Sequence, residues 1–378
     1  MKIMFSAGEV SGDIHGAAIA REILMIDPSI ELLGFGGDRM AAAGVRLVRN
    51  CKDFSIMGVW EVIKNLGRIF QLLDELTKCM QRERPDILVL IDYPDFNWRL
   101  AKRAKALGIK VFSYIPPSAW AWRKGRAKDC AAIADQFASI FPFEIEVYRQ
   151  AGANITFVGN PMVDTVKPSM SQNSARSFFD VRSEDHVILL MPGSRRQEIK
   201  FLLQPMLEAA RLISERRSDI KFFLPAADGV DRVALTTAIA RSGVDVKLVG
   251  EHRYDLMSIA DCAAAASGTV ILEAALLGMP CVVLYKMAAL NYFIAKRFVH
   301  IDHFSLPNIL LNKKIQPELL QDQVEPARIS AELLKLMRGE PNRERVVEEL
   351  RLACDKLGKS GAAHRTARLI INAIGSVS

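Results

Sequence analysis

Cysteine is sparse and scattered: Cys51, Cys79, Cys130, Cys262, Cys281 and Cys354 show no C-x-x-C spacing and no clustered histidine partner. This argues against a disulfide framework and against zinc. No apolar run nears the roughly 20 residues that cross a bilayer. Residues 1–7 enter a strand pattern directly, without a basic start, an apolar stretch and a cleavage site, so no signal peptide is expected and a cytoplasmic, soluble or peripheral protein follows. No G-x-G-x-x-G occurs near the start, where Gly8, Gly12 and Gly16 are spaced by four, so a nicotinamide cofactor is unsupported. There is also no acidic pair suited to a divalent cation, and neither a metal nor a resident cofactor is expected. No aromatic-and-basic motif of an RNA or DNA module appears, which leaves nucleic acid poorly supported.

Against these absences stand 378 residues, half of them hydrophobic and a quarter charged. That is too long for one ordinary core, and two domains are the natural expectation. The formal charge of +7 would suit nucleic acid, anionic lipid or phosphorylated small molecules, without choosing among them.

Strand-like runs alternate with helical periodicity, which is the βαβ grammar of a parallel sheet. In the first half the runs are residues 3–7, 31–35, 87–91, 110–114 and 155–158. A turn at Gly159-Asn160-Pro161 and a polar stretch to Ser174 read as a linker. The grammar restarts with residues 187–191, 222–224, 246–249, 262–265 and 281–285, and from Glu325 onward it is helical only. The expected organisation is α/β, with two facing Rossmann-like domains over 1–165 and 175–340. Residues 341–378 would be helices that brace the N-terminal domain.

In such sheets ligands lie beyond the carboxyl ends of the strands, and four loops qualify. In the first, Gly8-Glu9-Val10-Ser11-Gly12-Asp13, two glycines allow close backbone approach and the following helix offers its N-terminus to anions. A tight packing turn would explain Gly8 and Gly12 but not Glu9 beside Ser11. In the second, residues 91–97, Asp95 is a natural helix N-cap, while Asp92 at the strand end could hold a raised pKa and take a proton from a sugar hydroxyl. A turn-stabilising role for Asp92 is the alternative. The third, Pro192-Gly193-Ser194-Arg195-Arg196, combines an open backbone, a hydroxyl and a fork of donors for phosphate, with one arginine expected to be surface charge pairing with Glu198. In the fourth, Ser267-Gly268-Thr269 leave a helix N-terminus open to a diphosphate, and Glu273 one turn in can hold a ribose diol. Opposed sheets with such a site describe a sugar-nucleotide glycosyltransferase of the two-Rossmann (GT-B) kind.

These stretches, with Pro117-Ser118, Trp120-Ala121-Trp122-Arg123 and Ser305-Leu306-Pro307-Asn308, resemble the lipid A disaccharide synthase family over essentially the whole chain. The resemblance implies an inverting transfer of a diacylated glucosamine from UDP to the 6-hydroxyl of a diacylglucosamine 1-phosphate, giving a β-1,6 disaccharide phosphate and UDP. It also places Asp92, Arg195, Glu273 and Asn308 on functional positions, with Glu9, Ser11, Arg297 and Gln321 as further candidates. Glu9 is then the alternative base to Asp92, and Ser11, Arg297 and Gln321 would serve the acceptor. Two departures are Asn160, where a histidine is expected, and Pro116 before Pro117.

Acylated substrates imply peripheral association with the cytoplasmic face of a membrane, and a homodimer is conceivable. Residues 56–76 are strongly apolar, with Met57, Val59, Trp60, Val62, Ile63, Leu66, Ile69, Phe70, Leu72 and Leu73 interspersed with Lys64 and Arg68. A membrane-facing helix and a core helix are equally good readings of them. Asn291-Tyr292-Phe293 with Lys296, Arg297 and Phe298 form a second such patch, or could bind the acceptor phosphate. An epimerase or hydrolase acting on a sugar nucleotide would share the fold without needing an acyl-binding surface. A non-catalytic lipid- or nucleotide-binding protein would tolerate loss of Asp92.

Overall fold

The computed structural model describes residues 1–54, 66–117, 124–227, 229–288, 292–293, 297 and 302–375. Its contacts divide the chain into two units, 1–161 with 357–378, and 162–356.

The first unit holds seven parallel strands, β1 (Lys2–Ala7), β2 (Glu31–Gly36), β3 (Arg46–Asn50), β4 (Ile87–Ile91), β5 (Lys110–Tyr114), β6 (Gln136–Ser139) and β7 (Ile155–Phe157), in the order β3-β2-β1-β4-β5-β6-β7. Both faces of this sheet are covered, which is why its central strands read as unbroken apolar runs. The period-two alternation survives beneath that run. Met4, Leu88, Leu90 and Val111 enter one core, whereas Ile3, Phe5, Ile87, Val89, Ile91 and Phe112 enter the other. The C-terminal helix Ala362–Gly375 buries Ala362, Thr366, Ala367 and Ile370, one helical stripe, and packs on the helix Val10–Ile26.

The second unit repeats the plan with β8 (His186–Met191), β9 (Ile220–Pro225), β10 (Val246–Val249), β11 (Cys262–Ala266), β12 (Cys281–Tyr285) and β13 (Glu318–Leu320), again parallel, in the order β10-β9-β8-β11-β12-β13. In each sheet the strand order reverses once, between β1 and β4 and between β8 and β11. Ligand crevices of doubly wound sheets open at such a reversal.

Two boundary expectations need correction. The polar stretch after Pro161 is not a free linker. It contains the helices Met162–Thr165 and Gln172–Phe178, and the Asp255 carboxylate accepts hydrogen bonds from the Ser169 amide at 2.6 Å, the Met170 amide at 2.6 Å and the Ser169 hydroxyl at 2.8 Å. The stretch is thereby tied to the second unit. Likewise the first unit resumes at Leu357 rather than at 341, because the helix Pro341–Asp355 buries Val346, Leu350 and Ala353 and packs on the helices Thr269–Leu276 and Leu306–Leu311.

Of the apolar stretch over residues 56–76, Met57, Val59, Trp60, Val62, Ile63 and Lys64 lie outside the described residues. In the helix Leu66–Glu83 that follows, Leu72 and Leu73 are core, Ile69 packs partly against it, and Phe70 stays exposed. Among the described residues no helix is long and apolar enough to cross a membrane.

Candidate functional site

At the β1/β4 reversal two loops touch. A Cβ added to Gly8 would sit 2.3 Å from the Tyr93 ring, so only glycine lets the loop after β1 approach the loop after β4 this closely. Buried Asn97 stitches the two together: its amide oxygen accepts from the Ser6 hydroxyl at 2.6 Å, and its amide nitrogen donates to the Asp92 carbonyl at 2.6 Å. Asp92 and Tyr93 are consecutive left-handed non-glycine residues, with φ of 48° and 53°. Such a backbone costs about 1–2 kcal/mol per residue, a strain that collects at functional sites. Asp92 keeps part of its surface open to solvent while it borders a narrow cavity lined also by Asn97, Trp98, Ser113 and Pro117. Protein packed around the carboxyl desolvates it and raises its pKa, which the Tyr93 amide partly offsets. Asp95 is not the N-cap expected of it. The helix begins two residues earlier than that cap implies, at Pro94, with Tyr93 at the cap, and Asp95 complements the dipole from the first turn.

Glu9 and Ser11 are exposed at the start of the helix Val10–Ile26, where the Glu9 carbonyl accepts from the Asp13 amide at 2.9 Å. Asp13 is consumed structurally. Its carboxylate accepts from the amides of Gly37, Arg39 and Met40 at 2.8, 3.1 and 3.0 Å, and so caps the helix Asp38–Ala42.

At the β8/β11 reversal lies a cavity of about 360 Å³. Gly193, Ser194, Arg195, Ser267, Gly268, Thr269 and Glu273 all line it, joined by Ala226, Ala227, Arg253 and Met257. Gly193 has φ +102°, and a Cβ there would strike the Glu198 carboxylate at 2.2 Å. That carboxylate accepts from the Ser194 and Arg195 amides at 3.1 and 3.2 Å and pairs with the Arg195 guanidinium at 2.9 Å, so Arg195 itself takes the Glu198 pairing. The Arg195 side chain remains 82% exposed. Across the cavity, the Ser267 hydroxyl donates to the Phe304 carbonyl at 3.1 Å, and Thr269 opens the helix Thr269–Leu276. Glu273, only 7% exposed, accepts from Arg253 and from the Tyr254 hydroxyl, each at 3.0 Å.

A family model described as lipid-A-disaccharide synthetase matches residues 3–370. The chain belongs to that family. It is a glycosyltransferase of lipid A biosynthesis with the GT-B fold. The lipid-A-disaccharide synthase of Geobacter metallireducens is 39% identical over 374 residues, covering 99% of this chain and 97% of the relative. Among solved structures, a UDP-GlcNAc 2-epimerase from Neisseria meningitidis bound to UDP-GlcNAc matches with a TM-score of 0.62 at 13% identity, covering 100% of both chains. A glycosyltransferase from Rickettsia africae matches with a TM-score of 0.62 at 12% identity, covering 100% of this chain and 99% of that one. At such identities these two speak for the fold alone.

Asn308, Gln321 and Arg297, expected in the site of this glycosyltransferase, are not among the residues lining this cavity. Asn308 is fully buried and turned into main chain: its amide oxygen accepts from the amides of Ile315 and Gln316 at 3.0 and 3.2 Å, and its amide nitrogen donates to the Gln316 carbonyl at 3.1 Å. An asparagine has the right donor and acceptor to close that turn. Asn308→Ala should therefore lower folding stability by about 1–3 kcal/mol, the cost of stranding buried amides, with UDP affinity of the folded protein unchanged; urea denaturation and calorimetry read the two quantities. Gln321 is similarly occupied, accepting from the Met287 amide at 2.8 Å and donating to the Met287 carbonyl at 3.1 Å, so it holds the segment after β12. Arg297 is exposed. Ser118, Trp120, Ala121, Trp122, Arg123, Asn291, Lys296 and Phe298 lie outside the described residues, and the acceptor phosphate site expected near the last three stays an expectation. Arg253 and Tyr254 were missed by the sequence reading. Their local signal is a position just past the end of β10, where Gly250 follows the strand much as glycines do in the other loops.

Proposed function

We propose that this chain transfers an acylated glucosamine from UDP to the 6-hydroxyl of an acylated glucosamine 1-phosphate, inverting the anomeric carbon. The observation that carries the donor half is Glu273. A nearly buried carboxylate one turn inside a helix whose N-terminus opens on the β8/β11 cavity fits a ribose diol, while the N–H groups of Gly268 and Thr269 and the charge of Arg195 suit a diphosphate. The Neisseria epimerase, which shares the fold and holds UDP-GlcNAc, supports the same reading by analogy.

In the reaction the acceptor oxygen forms a bond to the anomeric carbon as the bond to the diphosphate breaks. The hydroxyl proton goes to Asp92, and UDP leaves with its added charge facing the helix dipole and Arg195. Glu9 is the alternative base. The acyl chains call for contact with an anionic membrane surface, which the basic balance of the chain favours.

The purified chain, given the acylated UDP-sugar and the acylated monosaccharide phosphate, should release UDP and yield a disaccharide phosphate by mass spectrometry. Free sugar with UDP would indicate a hydrolase, and a donor isomerised without loss of UDP would indicate an epimerase.

A further inference from the structure

We infer that Arg253 and Tyr254 are positioning residues, a two-donor clamp that aims the Glu273 carboxylate and so makes the donor site selective for a nucleotide with an intact ribose diol. This rests on the assignment of Glu273 to the ribose. The three side chains form a closed triangle. Arg253 donates to the Tyr254 oxygen at 2.9 Å, Arg253 donates to Glu273 Oε1 at 3.0 Å, and the Tyr254 hydroxyl spends its single proton on the same Oε1 at 3.0 Å. The guanidinium also lies 4.8 Å above the Tyr254 ring, bracing the arginine from a second side.

Both donors therefore hold one carboxylate oxygen of a side chain that lines the cavity. The terminal torsion of a glutamate is broad, so without the clamp the carboxylate would spread over many orientations. Burial keeps the Tyr254 pKa raised, and the phenol stays a donor at neutral pH. Arg253 has a second effect: it offsets a negative charge that would otherwise repel a diphosphate in the same cavity.

The clamp is mounted rigidly. Arg253 and Tyr254 open the helix Arg253–Ile259, and the next residue, Asp255, is buried and takes the Ser169 and Met170 amides and the Ser169 hydroxyl. The segment after the first unit thus fixes the helix that carries both donors. Pre-organisation of this kind is what lets a hydrogen-bonding site reject an analogue that lacks the hydroxyls.

Calorimetry on the full chain with UDP and 2′,3′-dideoxy-UDP tests the clamp. The wild type should prefer UDP by at least about tenfold, as expected for hydrogen bonds to a charged group. Tyr254→Phe and Arg253→Gln should each shrink that preference several-fold, with Tyr254→Phe leaving dideoxy-UDP affinity unchanged. A wild type that does not discriminate would overturn the ribose assignment and the clamp with it. A wild type that discriminates, with both variants keeping its ratio, would overturn the clamp alone. So would a Tyr254→Phe variant that loses both ligands equally, since a merely structural tyrosine would behave that way.

Discussion

Asp92→Asn should cut turnover by at least about 100-fold while UDP affinity stays within a few-fold of wild type. Proton abstraction by a positioned base contributes about 10²- to 10⁴-fold, and an amide cannot take the proton. The demand on binding is as strong as that on rate, because the residues proposed for the nucleotide belong to the other unit. The desolvated carboxyl adds a pH signature. A base works only when ionised, and since burial raises the Asp92 pKa, activity should fall on acidification at a higher pH than an ordinary aspartate would give. The Asn variant should lose that acid limb. Stability moves the opposite way. A carboxyl whose folded pKa exceeds its unfolded value contributes stability below the unfolded pKa, and that contribution is lost as pH rises through the folded pKa. At neutral pH the wild type therefore carries a partly desolvated charge that asparagine removes, and the melting temperature of Asp92→Asn should not fall. If turnover stays near wild type, the base is another group and Glu9 is the first to test. If turnover and UDP binding collapse together with stability, Asp92 is a structural residue of the turn that Asn97 anchors.

The loops that end β1, β4, β8 and β11 are legible in the sequence for a physical reason. Strands buried on two faces read as unbroken apolar runs, and the turns that end them need glycine or small residues for the chain to swing into a helix. Gly8, Gly193 and Gly268 mark such turns. Strands β3, β6 and β13 escaped because they are short and partly polar, Arg46–Asn50, Gln136–Ser139 and Glu318–Leu320, so none offers such a run. The linker was misread for a related reason. Its serines look like open chain until Asp255, some 86 residues away, supplies the acceptor. Side-chain targets were the least legible feature. An asparagine that binds a ligand and one that closes a turn look the same in a sequence, and the main-chain bonds of Asn308 appear only in the fold. Arg253 and Tyr254 gain their meaning only from Glu273, 20 and 19 positions on, which no local pattern encodes.

Glu273→Ala should weaken UDP binding about 10- to 150-fold, the effect of losing a charged hydrogen-bond acceptor worth about 1.5–3 kcal/mol. Arg195→Ala should fall at or below the lower end of that range. Its side chain is 82% exposed and already shared with Glu198, so solvent screens whatever it adds. The order of the two effects carries information about where the nucleotide sits. If the diphosphate charge dominated recognition, Arg195 would matter more; if the ribose does, Glu273 will. Inorganic diphosphate separates these further. Removing Glu273 releases the Arg253 guanidinium from its partner and takes a negative charge out of the cavity, so affinity for diphosphate alone should hold or rise even as UDP affinity falls. Arg195→Ala should lower both. Opposite signs for one ligand pair in one variant, and equal signs in the other, would be hard to produce by general loss of structure. Should Glu273→Ala leave UDP affinity unchanged, the ribose is held elsewhere, and the Arg253–Tyr254–Glu273 triangle serves only to pack the helix Arg253–Ile259 against the helix Thr269–Leu276.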